Sequence, residues 1–183
     1  MGVKTWINGD RYDGEWELGN RHGRGVFTWC NGQHQYDGDW DSDTPHGQGK
    51  LSLGDGTRYA GAMHRGQRHG EGEEVLPDGT RYNGLWAEDL RHGKGSLDGP
   101  DEHYSGHWYN GMRHGTGKAT LRKGSSAEKT YEGEFQNDHF HGIGDLKCKD
   151  GRRYHLRYFK YCPMVSEKEH QTKLQISIYH GWF

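Results

Sequence analysis

The sequence predicts an all-β fold, an elongated single-layer antiparallel sheet built from stacked β-hairpins. Three observations indicate this fold. A short motif with strand-like alternation recurs along the chain, glycine-containing turns separate its copies, and the composition is rich in aromatic rings but poor in aliphatic residues. Because hydrophobic residues make up only 30% of the sequence while aromatic residues reach 13%, we expect the hairpins to bury each other's rings rather than enclose a two-layer core.

Each repeat opens with a tyrosine, a glycine two positions later and a large apolar residue four positions later. The six tyrosines are Tyr12, Tyr36, Tyr59, Tyr82, Tyr104 and Tyr131. A His-Gly-x-Gly step follows and ends 13 residues after each tyrosine. The distance from the last glycine of this step to the next tyrosine varies from 9 to 14 residues. The first part of the repeat is therefore a unit of constant length, and the second part carries an adjustable loop.

Two kinds of turn connect the predicted strands. Asx-Gly pairs, which favour tight hairpins, stand between repeats at Asn31-Gly32, Asp55-Gly56, Asp78-Gly79 and Asp150-Gly151. Inside the repeats, one turn position always holds Gly or Asp, and both tolerate a positive φ: Gly19, Asp43, Gly66, Asp89, Gly111 and Asp138. The glycines within strands predict that a Tyr or Trp ring lies flat over a neighbouring strand that has no Cβ there.

The array is predicted to occupy residues 1–158, and a C-terminal tail of a different character follows at 159–183. A half repeat covers 2–11, six repeats start at residues 12, 36, 59, 82, 104 and 131, and a degenerate half repeat covers 154–158. Within the tail, Leu174, Ile176 and Ile178 alternate as in a strand, while Ser166 and Glu169 fit a helix capping box. The tail is either a cap on the last sheet edge or a docking segment for another subunit.

The pattern Tyr-x-Gly-x-Trp-x-x-Gly-x-x-His-Gly-x-Gly resembles the MORN repeat family over about residues 2–158. The resemblance implies an elongated single-layer sheet, a scaffold function, and a groove that holds a helix or peptide of a partner. For some members it implies association with membranes or phosphoinositides, and for many a place in cilia, flagella or the cytoskeleton. Residues 82–95 resemble repeats of radial-spoke-head members of the axoneme. Met63, Phe135, the short Gly99-Pro100 loop and the inserted loop at 122–130 depart from the pattern, which predicts less regular stacking in repeats four to six.

The main functional prediction concerns the face of the sheet that carries the tyrosines and tryptophans, the aromatic face. Each ring has ~150–250 Å² to bury, and an exposed apolar patch above ~600 Å² is unusual for a monomer. The rings therefore cover one another, or a partner protein covers part of them. The predicted partner-binding residues are Tyr36, Trp40, Tyr59, Tyr82, Trp86, Tyr104 and Trp108.

The alternative prediction is a membrane adaptor. Arg68, Arg91 and Arg113 precede the His-Gly step and predict a basic row that binds anionic lipid or phosphate. The net charge of −2 opposes this alternative, and it also disfavours a nucleic-acid partner. A third possibility, pairing of the N-terminal edge strand with a second copy of the chain or with a neighbouring subunit, follows from the open edge of such a sheet.

The sequence predicts no catalytic site, no cofactor site and no metal site. The glycine-rich steps lead into no helix and so are not phosphate loops. Equivalent histidines in successive hairpins are ~10 Å apart, too far for single histidines to share a zinc ion with ligand bonds of ~2.0–2.1 Å. The odd number of cysteines, Cys30, Cys148 and Cys162, predicts free thiols in a reducing intracellular compartment, in the cytoplasm or cytoskeleton and, by the family resemblance, in a cilium or flagellum.

Overall fold

The computed structural model describes the backbone of residues 1–162 and the side chains of residues 1–157. The described residues form fourteen β-strands, and they contain no helix that could cross a membrane. In chain order the strands are β1 (Gly2–Thr5), β2 (Arg11–Glu17), β3 (Asn20–Trp29), β4 (His34–Asp41), β5 (Thr44–Ser52), β6 (Arg58–His64), β7 (Gln67–Val75), β8 (Arg81–Ala87), β9 (Leu90–Asp98), β10 (Glu102–Tyr109), β11 (Met112–Leu121), β12 (Lys129–Gln136), β13 (His139–Cys148) and β14 (Arg153–Cys162).

Strand order in the sheet is the order of the strands in the chain. The chain divides into two compact units, Met1–Arg91 and His92–Phe183. In the first unit, β1 to β8 pair in succession, each antiparallel to the next. In the second unit, β9 to β14 do the same. The predicted all-β antiparallel sheet of hairpin repeats is confirmed.

The register places glycine opposite glycine and aromatic rings beside them. Gly25 of β3 faces Gly14 of β2 on one side and Gly38 of β4 on the other. In the β2–β3 hairpin the register shifts after Gly14, which marks a β-bulge at the His-Gly-x-Gly step. The core is the layer of rings over these glycines, and its largest fully buried side chains are Tyr12, Tyr82, Tyr104, Tyr131 and Phe135.

Both predicted kinds of turn are confirmed. The glycine of each Asx-Gly pair has a positive φ, for example 93° at Gly56 and 86° at Gly79. At the turns inside the repeats, Asp43, Asp89 and Asp138 have φ values of 65°, 66° and 66°. The glycines at this position also have positive φ: Gly19, Gly66 and Gly111. One turn geometry thus serves all six repeats, because Asp and Gly both enter this region at low cost.

The prediction of less regular stacking in repeats four to six was wrong. Gly117 faces Gly106 on one side and Gly133 on the other, in the same register as earlier repeats. The inserted loop does not disturb the strands because it closes on itself: the Gly124 N–H donates to the Glu128 carboxylate at 2.6 Å.

The irregular region lies instead between β13 and β14. The register shifts twice there, and Leu156 stands opposite Gly144 where earlier repeats have glycine. The strand β14 also continues to Cys162, beyond the predicted end of the array at residue 158. The predictions for residues 163–183, including the cap, the docking segment and the choice between helix and strand, lie outside the described residues.

Candidate functional site

Tyrosine rings form the floor of the aromatic face. In the second repeat, the Tyr36 ring occupies the space over Gly38 and Gly49, which face each other across β4 and β5. The Tyr36 hydroxyl donates to the Asp39 carbonyl at 3.0 Å. The tyrosines of the five other repeats all make the same bond, to the carbonyl three residues ahead. Burial raises the pKa of Tyr59 and Tyr82 to about 12. The tyrosines are therefore held by ring packing and a hydrogen bond together.

The tryptophans connect each repeat to the one before it. The Trp40 indole N–H donates to the Gly25 carbonyl at 3.0 Å, and the Trp40 ring meets Tyr12 and Tyr36 edge to face at 5.4 and 5.2 Å between centroids. The other tryptophans of this column make the same bond: Trp16 to Gly2, Trp86 to Gly72 and Trp108 to Gly95. Met63 and Phe135 replace tryptophan in repeats three and six and have no N–H to donate.

The seven predicted partner-binding residues are all buried within the chain. Their exposed fractions range from 0% for Tyr82 and Tyr104 to 5% for Trp108, with Tyr36, Trp40, Tyr59 and Trp86 between. The rings are thus covered by their own neighbours, which was one of the two alternatives that the sequence left open. Direct partner contact by these rings stays a prediction, and a partner would first meet the more exposed residues of this face.

A row of half-buried apolar side chains lies on the aromatic face of the first unit, beside this floor. We call it the apolar row; its members are Trp6, Phe27, Trp29, Leu51, Leu53 and Leu76. Phe27 faces Tyr12 and Tyr36 in the register of β2–β3 and β3–β4, and it stacks on Trp29 at 5.3 Å with 16° between the ring planes. Sequence reasoning missed this row as a site, although all its members except Trp6 stand two or four positions after the last glycine of a His-Gly-x-Gly step.

The predicted lipid-binding arginines are all ion-paired with carboxylates of the chain. The pairs are Arg68 with Glu74 and Asp89 at 2.5 and 3.1 Å, Arg91 with Glu74 at 2.9 Å, and Arg113 with Glu102 and Asp138 at 3.0 and 3.1 Å. The Arg68 guanidinium also lies 4.1 Å from the centroid of the Trp86 ring. Lipid binding by this row stays a prediction, and it requires that a phosphate displaces these carboxylates.

An arginine–aspartate clamp joins successive repeats, and sequence reasoning missed it. The Arg68 backbone N–H and Nε–H both donate to Asp89 Oδ1, at 3.0 and 3.1 Å, and Arg68 Nη2 donates to the Asp89 carbonyl at 2.8 Å. Two further pairs share the backbone and Nε bonds: Arg21 with Asp43 and Arg113 with Asp138. The signal in the sequence is an alternation of Gly and Asp at the turn inside the repeats, with Arg at the start of the odd repeats' second strand.

The opposite face of the sheet, the histidine face, carries the histidines of the His-Gly-x-Gly steps. His64 lies between His46 and His69, with ring centroids 5.0 and 5.7 Å apart. A second stack, in the other unit, consists of His92, Tyr109 and His114. Across residues 1–162, no group of three or more His, Cys, Asp or Glu side chains is placed to hold a metal ion. The structure gives these histidines a role in ring packing.

Two cysteine side chains belong to the described residues. Cys30 is exposed and Cys148 is buried, and both are free thiols, as predicted for these two residues. The Cys30 backbone N–H donates to the Asp10 carboxylate at 3.2 Å. Cys148 is part of the buried core, and it lies on the same face of β13 as Leu146, which stands opposite Tyr131.

Comparison with known proteins agrees with this geometry. The family model for the MORN repeat matches residues 12–34, 36–58, 59–81, 82–103, 104–126 and 131–152, and these segments begin at the six tyrosines of the floor. No curated protein matches the sequence significantly. Proteins built from such repeats are generally non-enzymatic scaffolds that mediate interactions with proteins or membranes. Since the model covers six tandem copies and most of the chain, the protein belongs to the MORN repeat family.

Proposed function

We propose that this chain is a non-enzymatic scaffold or assembly subunit that binds a segment of a partner protein along the aromatic face. The observation that carries the proposal is the apolar row. Its half-buried side chains lie beside a floor of rings that the chain has already satisfied. Apolar surface that remains accessible on a well-packed face is the usual signature of an interaction site.

The spacing of the row in the first unit suits a regular partner. Trp29, Leu53 and Leu76 belong to successive hairpins, so they repeat every two strands, about 10 Å. A helix advances roughly 10.5 Å in seven residues, and an extended peptide in the polyproline II conformation, which has three residues per turn, advances about 9 Å in three. A partner with an apolar residue at either interval would place one side chain against each repeat. Both a helix and an extended peptide fulfil this condition.

Site-specific photo-crosslinking tests this proposal. A photoreactive amino acid at Leu53, on the aromatic face, should cross-link a partner in cell extract, and the same group at Ser52 should not, because Ser52 is exposed on the opposite face. Mass spectrometry of the adduct identifies the cross-linked segment. The proposal predicts an apolar residue every three or every seven positions in it. Equal yields at the two positions, or an adduct without such a segment, would refute binding along this face.

A membrane adaptor that binds anionic lipid through Arg68, Arg91 and Arg113 is the alternative proposal. Their common position in the repeat supports it, whereas their pairing with carboxylates within the chain opposes it. Flotation with phosphatidylserine vesicles at low and high salt measures this directly. Salt-sensitive flotation that is lost when the three arginines are changed to serine, in a variant that still folds, would favour the adaptor.

The assembly and location of the chain are part of the same proposal. We propose that the partner belongs to a multi-subunit complex of the cytoskeleton or of a cilium, as the family resemblance suggests. The edge strand β1, in which Val3 is 58% exposed, is a second contact for a copy of the chain or for a neighbouring subunit. Sedimentation at several concentrations tests self-association, and Val3→Lys should abolish it if β1 mediates it.

A further inference from the structure

Three arginines hold the same place in repeats one, three and five, but the first of them lacks one ion pair that the other two have. Arg21, Arg68 and Arg113 are each clamped to an aspartate of the next repeat. Arg68 Nη1 also donates to Glu74 at 2.5 Å, and Arg113 Nη1 donates to Glu102 at 3.0 Å. Among the described residues, no carboxylate accepts a hydrogen bond from Arg21 Nη1.

The difference between Arg21 and Arg68 follows from one position of the sequence. Glu74 stands two residues after the last glycine of its His-Gly-x-Gly step, and Phe27 holds that position in the first repeat. The Arg21 guanidinium lies 4.8 Å from the centroid of the Phe27 ring and 4.2 Å from that of Trp40. Where Arg68 meets a carboxylate, Arg21 meets an aromatic ring.

The surroundings of Arg21 carry excess positive charge on an apolar surface. The Arg21 side chain is 18% exposed, so most of it is shielded from water. Lys4 lies over the Trp6 and Trp16 rings, 4.8 and 5.8 Å from their centroids. The pKa of Asp43 is lowered, chiefly by the hydrogen bond from the Arg21 N–H and further by the charges of Arg21 and Lys4. Two cations therefore act on this one carboxylate.

At the corresponding place in repeat three, the positive and negative charges are equal in number. There two guanidinium groups, of Arg68 and Arg91, face the carboxylates of Glu74 and Asp89. Glu74 is 7% exposed, so a buried carboxylate is what this guanidinium position accepts when the chain supplies one. A guanidinium that is partly desolvated binds a carboxylate more strongly than one in open water, and its planar N–H groups match the two carboxylate oxygens.

We propose that Arg21 is the seat for a carboxylate of the partner segment, an Asp or Glu whose apolar neighbour packs on Phe27 and Trp29. The proposal rests on the proposed function, and it adds the end of the face where the segment is anchored and the chemistry that anchors it. Lys4 adds charge complementarity to an acidic segment. Glu74 and Glu102 show within the same chain how such a carboxylate is held.

A small carboxylate and its neutral analogue test the seat without knowledge of the partner. The probes are 3-phenylpropionate and 3-phenylpropionamide, which differ only in the charged group. Their binding is followed in the NMR signals of the arginine Nε–H and tryptophan Nε1–H groups. We expect the carboxylate to shift the Arg21 and Trp40 signals in a saturable way and to bind at least about five-fold tighter than the amide, with no response at Arg68.

Three variants extend the test, and two of them change the number of carboxylates in opposite directions. Phe27→Glu supplies the missing carboxylate from the chain and should abolish the response at Arg21. Glu74→Ala removes a carboxylate together with its volume and should open a second seat, so that the Arg68 and Trp86 signals begin to respond. Arg21→Gln should lose the preference for the carboxylate, and because Glu74→Ala leaves Arg21 intact, the test does not depend on one variant that fails to fold.

Several results would overturn the seat. Equal binding of the amide, an equal response at Arg68 in the unaltered chain, or tighter binding of inorganic phosphate than of the carboxylate would each do so. These outcomes leave the broader proposal standing, because the Leu53 cross-link tests binding along the face at a residue outside the seat. If no cross-link forms at Leu53 but the preference for the carboxylate is observed, Arg21 is an isolated anion site and no partner segment binds there.

Discussion

The aromatic face and the histidine face are made by alternate residues of the same strands, yet their buried polar groups are hydrogen-bonded to different degrees. On the aromatic face, Tyr36 and Trp40 are buried and both polar groups are hydrogen-bonded. On the histidine face, the Nδ1 atoms of His92, His114 and His141 are buried without a hydrogen-bond partner among the described residues. Since unpaired buried polar atoms destabilise a fold, the contrast predicts that the aromatic face contributes more to stability than the histidine face.

The largest expected effect is unfolding at alkaline pH, because high pH ionises the tyrosines of the floor. Burial raises the pKa of Tyr59, Tyr82 and Tyr131 to about 12, whereas tyrosine in the unfolded chain ionises near 10. Folded tyrosines thus hold their protons longer. Their contribution to stability is complete below pH ~10 and is lost as pH rises through ~12, at roughly 2–3 kcal/mol for each ring. We expect cooperative unfolding in this range.

Circular dichroism and tyrosinate absorbance, recorded together, check the alkaline transition. The sequence has eleven tyrosines, and six of them form the floor. The part of the tyrosinate absorbance that comes from these six should change in one step with the circular dichroism, because ionisation of a floor tyrosine requires that its ring leave the sheet. Tyr82→Phe should lose less stability than the unaltered chain between neutral and alkaline pH, since one ionisable ring is gone. Ionisation of the six floor tyrosines near pH 10 in a chain that stays folded would contradict the role of the floor.

Gly49→Ala should have the next largest effect, because it attacks the contact between floor and backbone. A Cβ at Gly49 would overlap the Tyr36 ring, and the ring cannot move without leaving its place over β4 and β5. We expect a loss of about 3 kcal/mol or more in the free energy of unfolding, measured with urea. The matched change on the other face, His69→Ala, should cost no more than about 0.5 kcal/mol. Similar losses for both variants would contradict the difference between the faces.

The sequence predicted the features of the fold that come from local chemistry. The alternation around Tyr12 predicted the strands, the Asx-Gly pairs predicted the outer turns, and the column that contains Asp43 predicted turns with positive φ. It also predicted that rings need glycines beneath them, which Gly49 and Tyr36 confirm. These features could be predicted because each depends on residues close together in the chain.

The candidate site could not be predicted to the same degree, because it depends on what one repeat covers in the next. The rings of Trp40 and Trp86 were predicted to contact a partner, but the repeats before them bury both. The apolar row remained accessible because Leu53 and Leu76 lie at the ends of strands, beside the turns. Likewise, the second carboxylate of Arg68 depends on the register that places Glu74 beside Tyr59 and Tyr82, and no local pattern shows it.

Trp40→Phe separates two contributions within the aromatic face, the packing of the ring and the hydrogen bond of the indole N–H. The substitution keeps an aromatic ring but removes the N–H that binds the Gly25 carbonyl at a buried position. We expect a loss of about 1–2 kcal/mol in urea unfolding, because a buried acceptor is left without its donor. Met63→Leu, in a repeat that has no such bond, serves as the control and should cost less than the tryptophan change. If Met63→Leu costs as much as Trp40→Phe, the stability of this column comes from side-chain packing alone and not from the indole hydrogen bond.

The smallest expected effect concerns the clamp at the edge of the aromatic face, and it depends on pH. The pKa of Asp43 is lowered below its usual value, first by the hydrogen bond from the Arg21 backbone N–H and then by the hydrogen bond and charge of the Arg21 side chain. A carboxyl whose folded pKa is lowered adds stability that is complete above its unfolded pKa of about 3.9 and is lost as pH falls through the folded value. The Asp43 side chain is 49% exposed, so we expect at most about 1 kcal/mol. Asp43→Asn, which keeps a residue that tolerates the positive φ of this turn, should therefore lose less stability than the unaltered chain between pH ~5 and ~2. Asp37→Asn, at an exposed position of the histidine face, should leave this acid dependence unchanged. If both variants follow the unaltered chain down to acid pH, the clamp positions Arg21 but does not stabilise the fold through its charge.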